Sequence, residues 1–174
     1  MIFTLNRSIE ILERTPVVVS ALTEGLSSEW TNTNEGEGTW TVFDVVGHLI
    51  HADKTDWIPR AEIILSDSND KAFPPFDRFA QMESSKGKTL LQLLEEFKTV
   101  RVSTITKLKK LEITEQDFSK TGIHPTFGTV SLSQLLSTWV VHDLDHISQI
   151  TRIMAKQYKE QTGPWIDFLK ILKQ

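Results

Sequence analysis

The stretch Trp139–Ile150, WVVHDLDHISQI, reads as a buried amphipathic helix that carries two histidines where Leu or Ile would normally sit. At about 100° per residue, with His142 as reference, Leu135, His146 and Ile153 fall within about 40° of it. Trp139 and Ile150 fall within about 80°, and Gln149 shares the face. The helix has a start signal at Ser131, with Gln134 three residues on completing a capping box, and its apolar period extends to about Tyr158. Unpaired polar groups are costly to bury. The two imidazoles therefore need partners, either the local hydrogen bonds of a core histidine or a shared cation.

Three more segments with the same period surround this one. Thr4 to Glu24 carries Leu5, Ile9, Leu12, Val18, Val19 and Leu22, and Pro16 divides it, so a restart capped by Thr15 is expected. A second segment opens at WTVFDVVGHL (residues 40–49). Thr41 and Asp44 form its capping box, Trp40 is placed to staple onto Val45, and the helix should reach about Leu65 with a bend near Pro59. A third, Thr89 to Leu111, has a seam of Leu90, Leu94, Phe97, Arg101, Thr104, Leu108 and Leu111, the 4-3 spacing of bundle packing. No strand-like alternation of useful length and no internal repeat interrupts these helices. The economical arrangement is all-α: an antiparallel four-helix bundle with long crossover loops, forming one domain over residues 1–174.

The long connections are Ser66–Gly87 and Glu112–Val130. Connections of this length usually cover a site. The first contains Phe73, Phe76 and Phe79 with Pro74 and Pro75, so it should lie down as a lid or groove wall. The tail GPWIDFLKILKQ is expected to add a short terminal helix.

Composition narrows the chemistry. Cysteine is absent from the 174 residues, which excludes disulfides, thiolate metal sites and a cysteine nucleophile. The formal net charge is -4, and the lysines are scattered apart from KLKK at 107–110, so no basic stripe for nucleic acid is present. No apolar run is long enough for a membrane span, and the first residues lack a secretory pattern, which points to the cytoplasm. Neither a Ser-His-Asp arrangement nor a phosphate-cradling glycine loop is evident.

His48 is the natural third partner for His142 and His146. It lies about two turns into the second helix, on the side flanked by Val45, Leu49 and Ala52. Three imidazoles from two helices around an open position suit a borderline divalent ion in a catalytic-type site. Satisfied core histidines remain the competing explanation. His51 is displaced toward solvent, and His124 in GIHPTFG suits a turn. Arg101 occupies a seam position and must be paired, with a structural ion pair favoured over a substrate role. Asp53 could serve either a histidine or an arginine. Asp143 is expected to hydrogen-bond an imidazole, and Asp145 to be a solvated carboxylate. Trp57 and Trp139 read as packing residues.

The Trp-Thr entry and Gly-His-Leu step of WTVFDVVGHL, with the His-Asp-x-x-His-x-x-Gln of FGTVSLSQLLSTWVVHDLDHISQI (residues 127–150), resemble the DinB/YfiT-like superfamily over nearly the whole chain. The resemblance implies a bundle with a long crossover, often dimeric, and a three-histidine site for a divalent ion, typically zinc or nickel. By matching positions it makes His48, His142 and His146 the ligands; Asp53, Arg101, Asp143 and Gln149 are, from their helix positions alone, the candidates for supporting or substrate-contacting roles. Members are thiol-dependent S-transferases or isomerases using low-molecular-weight thiols, or metal-dependent hydrolases. A small electrophilic substrate is implied, and a chain without cysteine suits a thiol that arrives as cosubstrate. The expectation from another class is a non-catalytic bundle whose site stabilises the fold or a homodimer, the latter with Trp165, Phe168 and Leu169 at the contact. A fourth protein ligand, such as His124, would favour that alternative.

Overall fold

A computed structural model of the chain describes residues 3–173; of the expected span 1–174, Met1, Ile2 and Gln174 lie outside the described residues. The first bundle helix is two pieces, α1 (Leu5–Leu12) and α2 (Thr15–Thr23). The break falls where Pro16 predicts it, but Arg14 stands at the cap and no side chain caps the restart. Thr15 is inside α2, and its hydroxyl donates back to the Ile11 carbonyl at 3.3 Å. After the short α3 (Ser28–Asn32), α4 (Val42–Thr55) starts at the expected Thr41–Asp44 capping box. It stops at Asp56, and α5 (Trp57–Leu65) continues from there. The bend therefore precedes Pro59, which sits in the first turn of α5, where a proline costs no hydrogen bond. After α6 (Gln81–Ser84) in the long connection, α7 (Leu90–Lys110) and α8 (Leu132–Lys156) complete a four-helix bundle. Both open on capping boxes, Thr89 with Gln92 and Ser131 with Gln134.

Contacts along the helices set their directions. Asp53, near the end of α4, meets Arg101 midway along α7, and residues near the starts of α4 and α7 share a groove, so these two run the same way. Glu13 meets Lys109 at 2.8 Å while Thr23 lies near Leu90, so α1–α2 runs oppositely to α7. The Ser66–Gly87 connection is thus a crossover that carries the chain back along the bundle before α7 begins.

Strands were not expected, yet the second connection contains a hairpin, β1 (Thr121–His124) with β2 (Gly128–Ser131), paired antiparallel in the register Thr121↔Ser131 to His124↔Gly128. Four-residue strands are too short to show alternation in sequence. The crossover pairs with this hairpin. Ile123 N–H donates to the Lys71 carbonyl at 2.8 Å, and Phe73 N–H to the Ile123 carbonyl at 2.9 Å. The tail forms 3-10 turns over Glu160–Phe168 and Lys170–Leu172 instead of an α-helix.

Two apolar clusters fill the bundle. One centres on Leu12, Trp57, Leu108 and Trp139, and the other on Val19, Val46, Phe97 and Ile150. Between them lies an ionic layer. Arg101, 2% exposed, forks onto Asp53 (Nε–Oδ2 2.6 Å, Nη2–Oδ1 3.0 Å) and Asp143 (Nη1–Oδ2 2.5 Å, Nη2–Oδ1 3.1 Å), and also donates to the Leu12 carbonyl at 2.7 Å. Asp143 does not serve an imidazole, as the sequence suggested. The buried positions of α8, Leu132, Leu135, Leu136, Trp139, Asp143, His146, Ile150 and Ile153, place Asp143 on the seam and the half-buried His142 at its side.

Candidate metal centre

α4 and α8 pass each other antiparallel, and this crossing brings His48 against His142 and His146. Nε2 of His142 lies 3.1 Å from Nε2 of His48 and 3.1 Å from Nε2 of His146. The three ligand atoms all lie within 4.8 Å of one another. Nitrogens about 2.1 Å from one ion stand roughly 3.4 Å apart in a tetrahedron and roughly 3.0 Å apart on an octahedral face. The two 3.1 Å separations at His142 fall in this range. A ring nitrogen has either one N–H or one lone pair, so Nε2 of His142 cannot complete a hydrogen bond to both neighbours. A shared cation satisfies all three nitrogens; hydrogen bonding among the rings does not.

The protonation states also suit a cation. Burial pushes His48 down to about 3, helped by the charges of His146, His51 and Arg78. It pushes His142 down to about 2, with His146, His48 and Arg101 adding to it. His146 is lowered too, chiefly by burial, although its bond to Gln149 opposes this. Neutral rings keep lone pairs available. Nδ1 of His146 faces Oε1 of Gln149 at 2.8 Å. An amide oxygen only accepts, so that nitrogen carries the proton and Nε2 is left free toward the centre.

Aromatic side chains wall the cluster. Trp40 packs on His48 with centroids 4.8 Å apart and lies parallel to His146 at 6.3 Å. The edge of Trp57 meets His142 at 5.1 Å, and its other neighbour is the stacked Trp139 at 5.7 Å. Phe76, from the crossover, reaches His48 at 5.7 Å and His51 at 5.1 Å. Of the three crossover phenylalanines, Phe76 forms the groove wall, Phe73 is anchored in the core, and Phe79 is exposed against Trp40.

The histidines open onto a cleft of about 700 Å³, also lined by Glu35, Asp56, Arg60, Arg78, His124, Asp145 and Arg152. Among the described residues no fourth histidine or carboxylate joins the cluster. His124 lines the cleft, but its Nδ1 accepts the Thr126 and Phe127 N–H groups at 3.1 and 3.2 Å, which closes the hairpin turn. His51 lies outside the cluster, with Nε2 3.4 Å from the Thr55 hydroxyl. Burial pushes the Asp56 carboxyl up to about 6, against the opposing charge of Arg60, whose Nε lies 2.8 Å from Oδ1.

Sequence reasoning did not place Trp40 or Arg78 at this site. The signal for Trp40 was its position immediately before the cap of the helix that carries His48. For Arg78 it was a cation set among the phenylalanines of AFPPFDRFA (residues 72–80).

Fold and site together define a helical bundle with a three-histidine centre at the crossing of two helices. Residues 11–150 match the model of the DinB superfamily, and the chain belongs to that family. It is 28% identical over 157 residues to YfiT of Bacillus subtilis (strain 168), a protein named for a metal-dependent hydrolase activity assigned by inference; the match covers 87% of this chain and 84% of YfiT. A solved structure of YfiT, described as a probable metal-dependent hydrolase with an unusual four-helix bundle topology, superposes with a TM-score of 0.71 at 23% identity. That superposition covers 91% of this chain and 87% of the other.

Proposed function

We propose that the protein is a divalent-metal-dependent enzyme that hydrolyses a small electrophilic substrate in the cleft beside His48, His142 and His146. The observation that carries this reading is the convergence of three neutral imidazole nitrogens, 3.1 Å apart in successive pairs, on a cleft with no fourth protein ligand among the described residues. A divalent ion held there, zinc or nickel by the family resemblance, would supply Lewis acidity, the property that makes water or a thiol a nucleophile near neutral pH. His48, His142 and His146 would hold the ion through Nε2, and Gln149 fixes the tautomer of His146. Trp40, Trp57 and Phe76 exclude bulk water from one side. Asp56, raised to about 6 within the same cleft, is suited to exchanging a proton at its carboxyl near neutral pH.

Thiol transfer is the second reading. It is supported by the absence of cysteine from the chain and by a cleft large enough for both a substrate and a small thiol. Pairing of two copies draws support from the exposed Trp165 and Phe168 of the tail.

Elemental analysis of the purified protein and of His142→Ala tests the metal. The parent should carry about one divalent ion per chain, and the variant should lose stoichiometric binding; full metal content in the variant would remove the site. Zinc- and nickel-loaded protein should then turn over model esters, amides or thiol-plus-electrophile pairs faster than chelated protein. Equal rates in the two forms would reduce the centre to a structural one.

A further inference from the structure

Three guanidinium groups line the cleft, and two of them are already matched. Arg60 lies against Asp56, and Arg152 forks onto Glu35 at 2.8 and 2.7 Å, with Lys156 reaching the same carboxylate at 3.0 Å. Arg78 differs. Among the described residues it makes no hydrogen bond or ion pair, and its guanidinium lies over the rings of Trp40 at 5.7 Å and Phe79 at 5.5 Å. The adjacent Asp77 is occupied, because its Oδ1 accepts the Phe79 N–H at 2.9 Å. Trp40 packs in turn on His48, so Arg78, Trp40 and His48 form a continuous wall leading to the histidine cluster.

The charges lining the cleft are otherwise balanced. Arg60, Arg78 and Arg152 stand opposite Glu35, Asp56 and Asp145. With neutral imidazoles, a bound divalent ion makes the whole cleft cationic. A guanidinium stacked on an aromatic face keeps its in-plane N–H donors free, which is the geometry for forked recognition of a carboxylate.

We propose that Arg78 determines specificity for a small organic anion, gripping a carboxylate remote from the reacting group while that group faces the three histidines. This rests on the metal-centre reading above, and the test separates the two. Zinc-loaded parent, Arg78→Met and Arg78→Lys would be titrated calorimetrically with acetate and with the dicarboxylates from malonate to adipate, and zinc content measured for each. In the parent at least one dicarboxylate should bind about tenfold or more tightly than acetate, the worth of a charge-assisted pair. Arg78→Met should lose that advantage while keeping the parent's zinc content and acetate affinity, and Arg78→Lys, which keeps the charge without the fork, should retain only a minor part of it. If no dicarboxylate exceeds acetate, or if Arg78→Met binds dicarboxylates as the parent does, the proposal is overturned with the metal centre intact. A parent that takes up no zinc would overturn the metal centre instead. The metal-free titration then decides for Arg78: dicarboxylate affinity lowered by Arg78→Met supports the anchor, and unchanged affinity overturns it.

Discussion

Arg101 joins all four long elements of the bundle at one guanidinium: α1 through the Leu12 carbonyl, α4 through Asp53, α8 through Asp143, and its own α7. Its need for partners was legible in the sequence, because a cation on a 4-3 seam cannot remain unpaired. The choice of Asp143 was not, since His142 and Asp143 are neighbours and a rotation of about 100° decides which of them faces the core. Asp143 has the seam, and this turns His142 sideways toward the cleft. The layer is also pH-sensitive. Burial raises Asp53 to about 6, against the pull of Arg101 and with a push from Asp143. A carboxyl whose folded value exceeds its unfolded value is stabilised by protonation, so this group's contribution improves as pH falls from about 6 toward 4. Arg101→Met leaves two buried carboxylates without a counter-charge and should cost about 3–5 kcal/mol at pH 7 in urea unfolding. The loss should shrink at pH 5, where Asp53 takes up a proton. A loss that is equal or larger at pH 5 would mean that the guanidinium contributes packing and no charge balance.

At the scale of elements, the helices were legible and the connections were not. Capping boxes at Thr41, Thr89 and Ser131 mark starts that local chemistry fixes. The crossover and the hairpin depend on each other across about fifty residues, a pairing that no local pattern announces. Gly122 shows how close that pairing is. A Cβ there would run into the Phe73 ring, approaching Cζ to 2.6 Å, and would come within 3.0 Å of Ile64 Cγ1. Phe73 is 4% exposed and packed in the core, so overpacking should be felt there. Gly122→Ala is expected to destabilise by about 1–3 kcal/mol, read as a lowered urea midpoint. It should also loosen the Phe76 wall that follows Phe73 in the loop. His48, His142 and His146 sit on α4 and α8 and not on this connection, so zinc content should stay at the parent level. If zinc is lost as well, the hairpin and crossover help to build the centre itself.

Over the whole molecule, the centre ties together residues 94 apart in sequence, His48 and His142, which meet only when the bundle is formed. The unfolded chain has no such cluster, so an ion that binds there stabilises the fold by mass action, about 2.7 kcal/mol at a hundredfold excess over its dissociation constant. Protons act in the opposite sense. In the metal-free protein His48 is held at about 3 and His142 at about 2, against an ordinary value of 6.5, so the unfolded chain gains protons first as pH falls. Their contribution to stability is present above pH 6.5 and drains away as pH drops toward 3. Asp53 and Asp56, each raised to about 6, work the other way between pH 6 and 4. The displacements of the histidines are the larger, so metal-free protein should lose stability overall between pH 7 and pH 5. Chemical unfolding of chelated and zinc-loaded protein at the two pH values, with His142→Ala beside them, checks both signs. Chelated parent should be less stable at pH 5 than at pH 7. Zinc should raise its stability at pH 7, while His142→Ala should show a weaker pH dependence and no response to zinc. Stability of the chelated parent that rises on acidification would mean the carboxyls outweigh the histidines, and a zinc response retained in His142→Ala would place the ion somewhere other than the crossing of α4 and α8.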